Sequence, residues 1–254
     1  MFPLVHHYSN KQVFGHANVD NSLILGGLFP DLAINTGLSR NTAHTCGPAF
    51  YEWHQLHQCK HLNFIKGILT HNTLPEGLDY YSDEFWPGGE KGYCFQQGRS
   101  WMKEVEKATG LPQKLIWWKS HNFVEMAFEL IAYQRDPFLG LQILEAIGDH
   151  QTIEEVSTMV SDFFRIDKKK MIEAYEMVPK IFALSEVTPQ TLAEKQCRSF
   201  QTRHNCHNGN IEEMSHLLEE MTCYFDDKFD PFMQTTTHLI KNMLSSLCEK
   251  HQES

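Results

Sequence analysis

A histidine and a glutamate four residues apart could together bind one divalent ion. His121 and Glu125 lie in the segment 111–134, whose apolar spacing predicts a strong helix, and side chains at positions i and i+4 share one face of a helix. An imidazole nitrogen and a carboxylate oxygen are typical zinc ligands. Because this helix is apolar nearly all round, we predict that it is buried and that the pair needs a charged partner, such as a metal. The alternative is a hydrogen-bonded pair on a helix surface.

Two further candidate ligands lie in the segment 26–47, which is rich in Gly, Asn and Thr and is predicted to be irregular. Asp31 follows Pro30, whose ring restricts the backbone, so the carboxylate is held in a defined position. Taken alone, this pattern is more typical of an Asx turn or a helix N-cap. His44 lies in the same segment, and the alternative for it is a loop histidine in solvent.

A third group of candidates follows a long predicted helix, 48–72. His71 lies on its last turn, and Pro75 ends the helix near Leu74. Glu76 and Asp79 belong to the following turn and could fold back beside His71. The alternative is that His71 only complements the negative end of the helix dipole.

Three more histidines of that helix are excluded from the same site. His54, His57 and His61 resemble a stripe leading to His71. His57 and His71 would be roughly 21 Å apart along an unbroken helix, so no single ion reaches both. We therefore predict that the three histidines face solvent or a partner.

Helices must position all of these groups, because helical periodicity recurs along the chain and strand alternation does not. The fold class predicted is all-α, in a single domain over 1–254, with a metal-site half (1–135) and a helical scaffold half (150–254). A second irregular segment is expected at 75–92. Further helices are expected at 137–148, 151–164, 167–185, 188–201, 210–225 and 231–249, the last capped by Asp230 with Pro231 at its first position.

The composition argues against several classes of protein. The chain has 254 residues, 15 His and a net charge of −10, which argues against a general nucleic-acid binder. Its seven Cys include no C-x-x-C pair, which argues against a disulfide framework or a Cys-rich zinc module. We find neither a signal peptide nor a transmembrane segment, so a cytoplasmic location is expected.

The order of these motifs resembles the zinc-dependent phospholipase C/P1 nuclease superfamily, especially its bacterial branch without a secretion signal. An early His is followed by the Pro30-Asp31 turn, a loop His, a His at a helix end and a His-x-x-x-Glu helix, over roughly residues 1–135. The resemblance implies a multi-helix bundle and up to three divalent ions, usually zinc. By position, the metal ligands it implies are His6 (or His7), Asp31, His44, His71, His121 and Glu125.

Two features depart from that family. It has an Asp four residues after the His of the first long helix, and here this position is Pro75. Glu76 or Asp79 would have to supply the carboxylate instead. The secreted members also use a processed N-terminal amino group as a ligand, which is not expected with Met1, so one or two ions could replace three.

The function expected from the resemblance is hydrolysis of a phosphodiester or phosphomonoester through a metal-activated water. Asp31 and Glu125 are the candidate catalytic residues that would orient this water. The substrate would be a small-molecule phosphate ester, and the metal ions would supply the positive charge that the acidic chain lacks. The alternative is a non-catalytic, metal-containing helical protein that binds a small anionic ligand. The oligomeric state is left open.

Overall fold

Every regular element in residues 2–250, the part of the chain that this computed structural model describes, is a helix or a helical turn. No strand occurs within that range, so the all-α prediction is confirmed. Buried apolar side chains from all thirteen helices form one continuous core. Within the same range, no helix is both long and apolar enough to cross a membrane. The single domain and the phospholipase C/P1 type of bundle stay predictions.

The first 135 residues carry eight helices and four short helical turns. The helices are α1 Pro3–Phe14, α2 Asn21–Ala33, α3 Arg40–Thr45, α4 Gly47–His57, α5 Leu62–His71, α6 Tyr93–Gly98, α7 Met102–Thr109 and α8 Gln113–Arg135. The turns are three-ten turns at His16–Asn18, Ile34–Thr36 and Arg99–Trp101, and one turn of wider π-helix at Tyr80–Glu84. The strong helix predicted at 111–134 is α8.

The rest of the described chain contains five further helices. They are α9 Leu139–Gly148, α10 His150–Phe164, α11 Lys168–Ile181, α12 Pro189–His204 and α13 Ile211–Lys250. The last of these replaces two predicted helices, so the expected cap at Asp230 is wrong. The helix continues through Pro231 because Phe225, Phe229 and Phe232, on both sides of the proline, pack on Phe128 of α8. This packing outweighs the local cost of the proline.

The helix predicted over 48–72 is wrong, because α4 and α5 form a hairpin. Gln58 and His61, between the two helices, adopt the left-handed conformation. The turn brings Phe50 of α4 to 6.2 Å from Phe64 of α5, measured between ring centroids. In one straight helix the two rings would be roughly 20 Å apart. Burial of both rings in the same core favours the turn.

Most of the predicted irregular segment 26–47 is helical, since α2 extends to Ala33 and includes Pro30, and α3 spans Arg40–Thr45. Gly26 of this segment and Gly67 of α5 permit close helix packing. A Cβ atom on Gly26 would lie 1.9 Å from the carbonyl oxygen of Phe64, and one on Gly67 would lie 2.3 Å from that of Leu23. Only glycine permits this approach of α2 to α5.

We expect Gly26→Ala to destabilise the protein by about 1–3 kcal/mol or more, because the added methyl group meets backbone rather than a movable side chain. Gly148→Ala is the matched control, since a Cβ atom there meets nothing within 4 Å. Urea unfolding of both variants measures the difference. Equal free energies of unfolding would contradict the packing role of Gly26.

Candidate metal centre

Four side chains that are far apart in the sequence converge at one point of the fold. We call Asp31, His44, His71 and Asp79 the first cluster; each offers one ligand atom, and these atoms all lie within 4.8 Å of one another. Asp31 lies on the last turn of α2, His44 on α3 and His71 at the end of α5, and Asp79 directly precedes the π turn. The side chain of Asp31 is 37% exposed, whereas the other three are buried.

The spacing of the ligand atoms fits a shared ion. Oδ2 of Asp79 lies 3.3 Å from Nε2 of His71 and 3.5 Å from Nε2 of His44. Oδ1 of Asp31 lies 3.4 Å from the same Nε2 of His44. Ligands placed tetrahedrally around zinc at its usual bond lengths are about 3.4 Å apart.

The backbone sets the tautomer of both histidines of the first cluster. Nδ1 of His44 donates to the carbonyl of Arg40 at 2.9 Å, and Nδ1 of His71 donates to the carbonyl of Gly27 at 2.7 Å. In the neutral rings the lone pair is therefore on Nε2, and neither Nε2 atom makes a hydrogen bond. A lone pair that points at a carboxylate oxygen is repelled by it, so a positive charge is needed between the two atoms. A carbonyl that orients the far side of the ring is also typical of metal-ligating histidines.

The charges inside the first cluster stabilise one another. Burial by itself lowers the pKa of His71, but the carboxylate of Asp79 outweighs burial and raises this pKa. Burial opposes ionisation of Asp79, yet the imidazoles of His71 and His6 hold its pKa well below the usual range. The pKa of Asp31 is likewise lowered, against burial, by His44 and His71. Both acids are therefore carboxylates and are ready to bind a cation.

His6 extends the first cluster on the far side of Asp79. Its Nε2 atom lies 3.3 Å from Oδ1 of Asp79, and its ring stacks on that of His71 at 3.7 Å. Burial, reinforced by His71, lowers the pKa of His6 to about 3. The ring is therefore neutral near pH 7, the form that binds metals.

A buried carboxylate of α8 holds the helix that carries His6. Glu129 accepts hydrogen bonds from the amides of Leu4 at 2.9 Å and Val5 at 3.0 Å, in the first turn of α1. These amides have no partner within the helix, so the side-chain oxygens of Glu129 satisfy them, while burial raises the pKa of Glu129 to about 8. Glu129 thereby joins α1 to the helix that also carries His121 and Glu125.

Besides His6, two of the predicted ligands lie outside the clusters. His7 is on another face of α1 from His6, and its Nε2 atom is hydrogen-bonded to Oε1 of Gln142 at 2.8 Å. Glu76 is partly exposed and belongs to neither group of converging ligands. The amino group of Met1, also considered above, lies outside the described residues.

Asp79 supplies a carboxylate close to His71 despite Pro75. The turn after α5 is attached to α3 by Thr73, whose amide and hydroxyl donate to the carbonyl of His44 at 2.9 and 3.1 Å. The amide of Gly77 then donates to the carbonyl of Asn72 at 3.0 Å. The chain is thus folded back so that Asp79, rather than Glu76, faces the imidazoles.

A second group of ligands lies one helical turn further on. We call Asp83, His121 and Glu125 the second cluster; their ligand atoms also lie within 4.8 Å of one another, and all three side chains are buried. The ring of His121 stacks on Phe95 of α6 at 3.9 Å, and its Nδ1 atom makes no hydrogen bond. Asp83 is not among the ligands predicted from the sequence, although its spacing of four residues from Asp79 is a usable signal.

Burial also shifts the pKa values of the second cluster. It raises the pKa of Glu125 to about 8, with Asp83 and Asp79 adding to the effect. Burial lowers the pKa of His121 to about 4. A cation bound between these groups would stabilise the ionised carboxylates and displace a proton from Glu125.

Arg40 lies between the two clusters. Its guanidinium is 3.4 Å from Oδ2 of Asp83 and 3.9 Å from Oδ2 of Asp79, and its side chain is 49% exposed. Arg40 is not among the residues predicted from the sequence, because an isolated Arg in a polar segment carries no signal. An exposed guanidinium between two carboxylate groups can bind an oxyanion from solvent.

The three histidines predicted to face solvent or a partner lie outside both clusters. His57 is exposed, and His61 is paired with Glu155 at 2.6 Å. His54 is buried, so its predicted exposure is wrong. Its Nε2 atom is bonded to the carbonyl of Lys60 at 3.2 Å, within the turn between α4 and α5.

The described residues thus define an all-α protein with two Asp/His/Glu clusters that could hold metal ions. Comparison of the chain with protein-family models, curated proteins and solved structures finds no match.

Proposed function

We propose that this protein is a metal-dependent hydrolase of phosphate esters. The observation that carries the proposal is the arrangement around Asp79, which faces three imidazole Nε2 atoms at 3.3 to 3.5 Å while the second cluster lies beside it. Adjacent metal sites are typical of enzymes that hydrolyse phosphate esters. The resemblance of the motif order to the phospholipase C/P1 nuclease superfamily supports the same class of reaction.

The residues present fit divalent ions. The first cluster (Asp31, His44, His71 and Asp79) would hold one ion, and the second cluster would hold another. His6 lies against the other carboxylate oxygen of Asp79, Oδ1. Zinc is the expected ion in the first cluster because imidazole and carboxylate are its usual ligands. When bound, such ions polarise a phosphoryl oxygen and lower the pKa of a water molecule.

Two residues of the chain would act on the substrate directly. Arg40, half exposed, would bind a phosphate oxygen and balance its charge. Asp31 would orient the attacking water, since its carboxylate is ionised and 37% exposed. Glu125 is only 3% exposed, so we favour Asp31 over Glu125 as the water-orienting residue.

One observation favours the non-catalytic alternative. The cavity beside His6 and Asp31, which is also lined by Phe182, has a volume of only about 10 Å³. This is room for one water molecule and not for a phosphate ester. A catalytic role therefore requires that the substrate approach from the exposed side, where Asp31 and Arg40 lie.

The test is hydrolysis of bis(p-nitrophenyl) phosphate and p-nitrophenyl phosphate by the metal-loaded protein, by the chelated protein and after metal is restored. We expect hydrolysis of at least one substrate that is lost on chelation and regained with metal. Bound metal without hydrolysis of either substrate would favour the non-catalytic alternative.

We expect Arg40→Ala to reduce kcat/KM by about 10²-fold, the effect of removing one preorganised electrostatic contact to a reacting group. Metal content should not fall, because Arg40 is not a ligand. Arg99→Ala is the matched control, since Arg99 is similarly exposed and pairs with Glu90. Full activity of the Arg40 variant would exclude its role in binding phosphate.

A further inference from the structure

We propose that the two clusters differ in metal preference. The ratio of the affinity for a harder ion, such as Mn²⁺, to the affinity for Zn²⁺ is higher at the second cluster than at the first. This inference rests on the proposed function, because it concerns the same centre. It follows from the donor sets. The first cluster combines two imidazoles with two carboxylates, whereas the second combines one imidazole with two carboxylates. Imidazole suits zinc, and carboxylate oxygen suits manganese and magnesium.

His121 is an independent sign that the second cluster binds a ligand. Its side chain is only 6% exposed, and its Nδ1 atom has no hydrogen-bond partner. A buried imidazole beside two carboxyl groups needs polar partners, and a cation between His121, Asp83 and Glu125 would bind its ligand nitrogen. The second cluster is therefore more than a group of acidic residues.

The carboxylates of the second cluster have their own supporting contacts. Oδ1 of Asp83 accepts from the hydroxyl of Ser82 at 2.8 Å, and Oδ2 lies 3.4 Å from Arg40. Oε2 of Glu125 accepts from the side-chain amide of Asn122 at 3.1 Å. Each carboxylate oxygen has two lone pairs, so these contacts orient the carboxylates and leave room for an ion.

Close backbone packing fixes the positions of these ligands. A Cβ atom on Gly92 would lie 2.2 Å from the amide nitrogen of Asp83, and one on Gly98 would lie 2.9 Å from that of His121. These close contacts hold the backbone of Asp83 and His121 in place, so the one imidazole and two carboxylates of the second cluster keep their relative positions.

Arg40 adds a second difference between the clusters. Its guanidinium is nearer to Asp83, at 3.4 Å, than to Asp79, at 3.9 Å. Because this positive charge opposes a cation, it weakens binding at the second cluster more than at the first. The ion of the second cluster should therefore exchange more readily.

The experiment is competition between Zn²⁺ and Mn²⁺ for the metal-free protein. We expect that one equivalent of Zn²⁺ with excess Mn²⁺ gives one bound ion of each kind by elemental analysis, with bound Mn²⁺ visible by electron paramagnetic resonance. Zn²⁺ binds most N/O sites more tightly than Mn²⁺, so the quantity compared is the ratio of the two affinities at each cluster.

Asp83→His tests the donor set directly. It converts the second cluster to two imidazoles and one carboxylate, so the Zn²⁺ needed to displace Mn²⁺ should fall severalfold. Glu84→His is the matched control, because it adds an imidazole at the neighbouring, half-exposed position without changing the cluster. Should Asp83→His fail to fold, Asp83→Asn should weaken Mn²⁺ binding and leave the zinc of the first cluster in place.

Equal zinc-to-manganese preference at both clusters, or no change in Asp83→His, would overturn the inference even if hydrolysis is observed. Different preferences in a protein that hydrolyses neither substrate would support the inference and refute the hydrolase proposal. A protein that binds neither ion would refute both.

Discussion

Asp79→Asn is expected to reduce phosphate-ester hydrolysis by at least about 10²-fold, as removal of a strong electrostatic contact in an active site does, and to lower the metal content. Asn has nearly the same shape but no charge. Asp79 faces His6, His44 and His71 at 3.3 to 3.5 Å, so its charge acts on every imidazole of the first cluster and on His6. Elemental analysis and kinetics on the same samples measure the two losses.

Glu76→Gln is the matched control for Asp79→Asn. It neutralises a carboxylate of the same turn that belongs to neither cluster, so metal content and kcat/KM should remain those of the unmodified protein. Circular dichroism should show a helical protein for both variants. Full metal content in Asp79→Asn, or an equal loss in Glu76→Gln, would contradict the assignment of Asp79 as the central ligand.

Removal of the metal is expected to abolish hydrolysis and to lower the melting temperature by roughly ten degrees. An ion at a concentration 1,000 times its dissociation constant stabilises the folded state by about 4 kcal/mol. In a chain of this size, each kcal/mol shifts the melting temperature by roughly 2–4 °C. The physical source is the buried, ionised carboxylate of Asp79, whose negative charge a bound cation would balance.

Calorimetry with and without a chelator measures this shift, and added Zn²⁺ or Mn²⁺ should reverse it. His57→Ala is a suitable control because His57 is exposed and outside both clusters; it should show the same shift as the unmodified protein. An unchanged melting temperature, with complete metal loss shown by elemental analysis, would indicate that the clusters do not bind an ion in the folded protein.

Predictions from the local residue pattern agreed with the structure where the predicted feature lies within a single helix. The helix predicted at 111–134 is observed as Gln113–Arg135, and the spacing of His121 and Glu125 places both in the second cluster. Both follow from helical periodicity, which depends on the amino-acid types within a few turns.

The predictions failed where packing outweighs local preference. Pro30 and Pro231 lie inside helices, although proline is expected to end them. The segment 48–72 is divided because a turn buries both Phe50 and Phe64 in the core. Glycines that suggested a loop at 26–27 instead permit contact between two helices. In each case the deciding contact is with a segment distant in sequence.

By itself, then, the sequence determined that the chain is helical and that His121 and Glu125 share a face, because both are properties of one helix. Only the tertiary structure decided that Asp79 rather than Glu76 meets the imidazoles, that His6 rather than His7 turns toward them, and that Asp83 and Arg40 join the site. The physical reason is that these positions depend on how α1, α2, α3, α5 and α8 pack together. Glycine contacts, the Glu129 carboxylate and the Thr73 hydrogen bonds determine that packing, and no short stretch of sequence contains both partners of any of them.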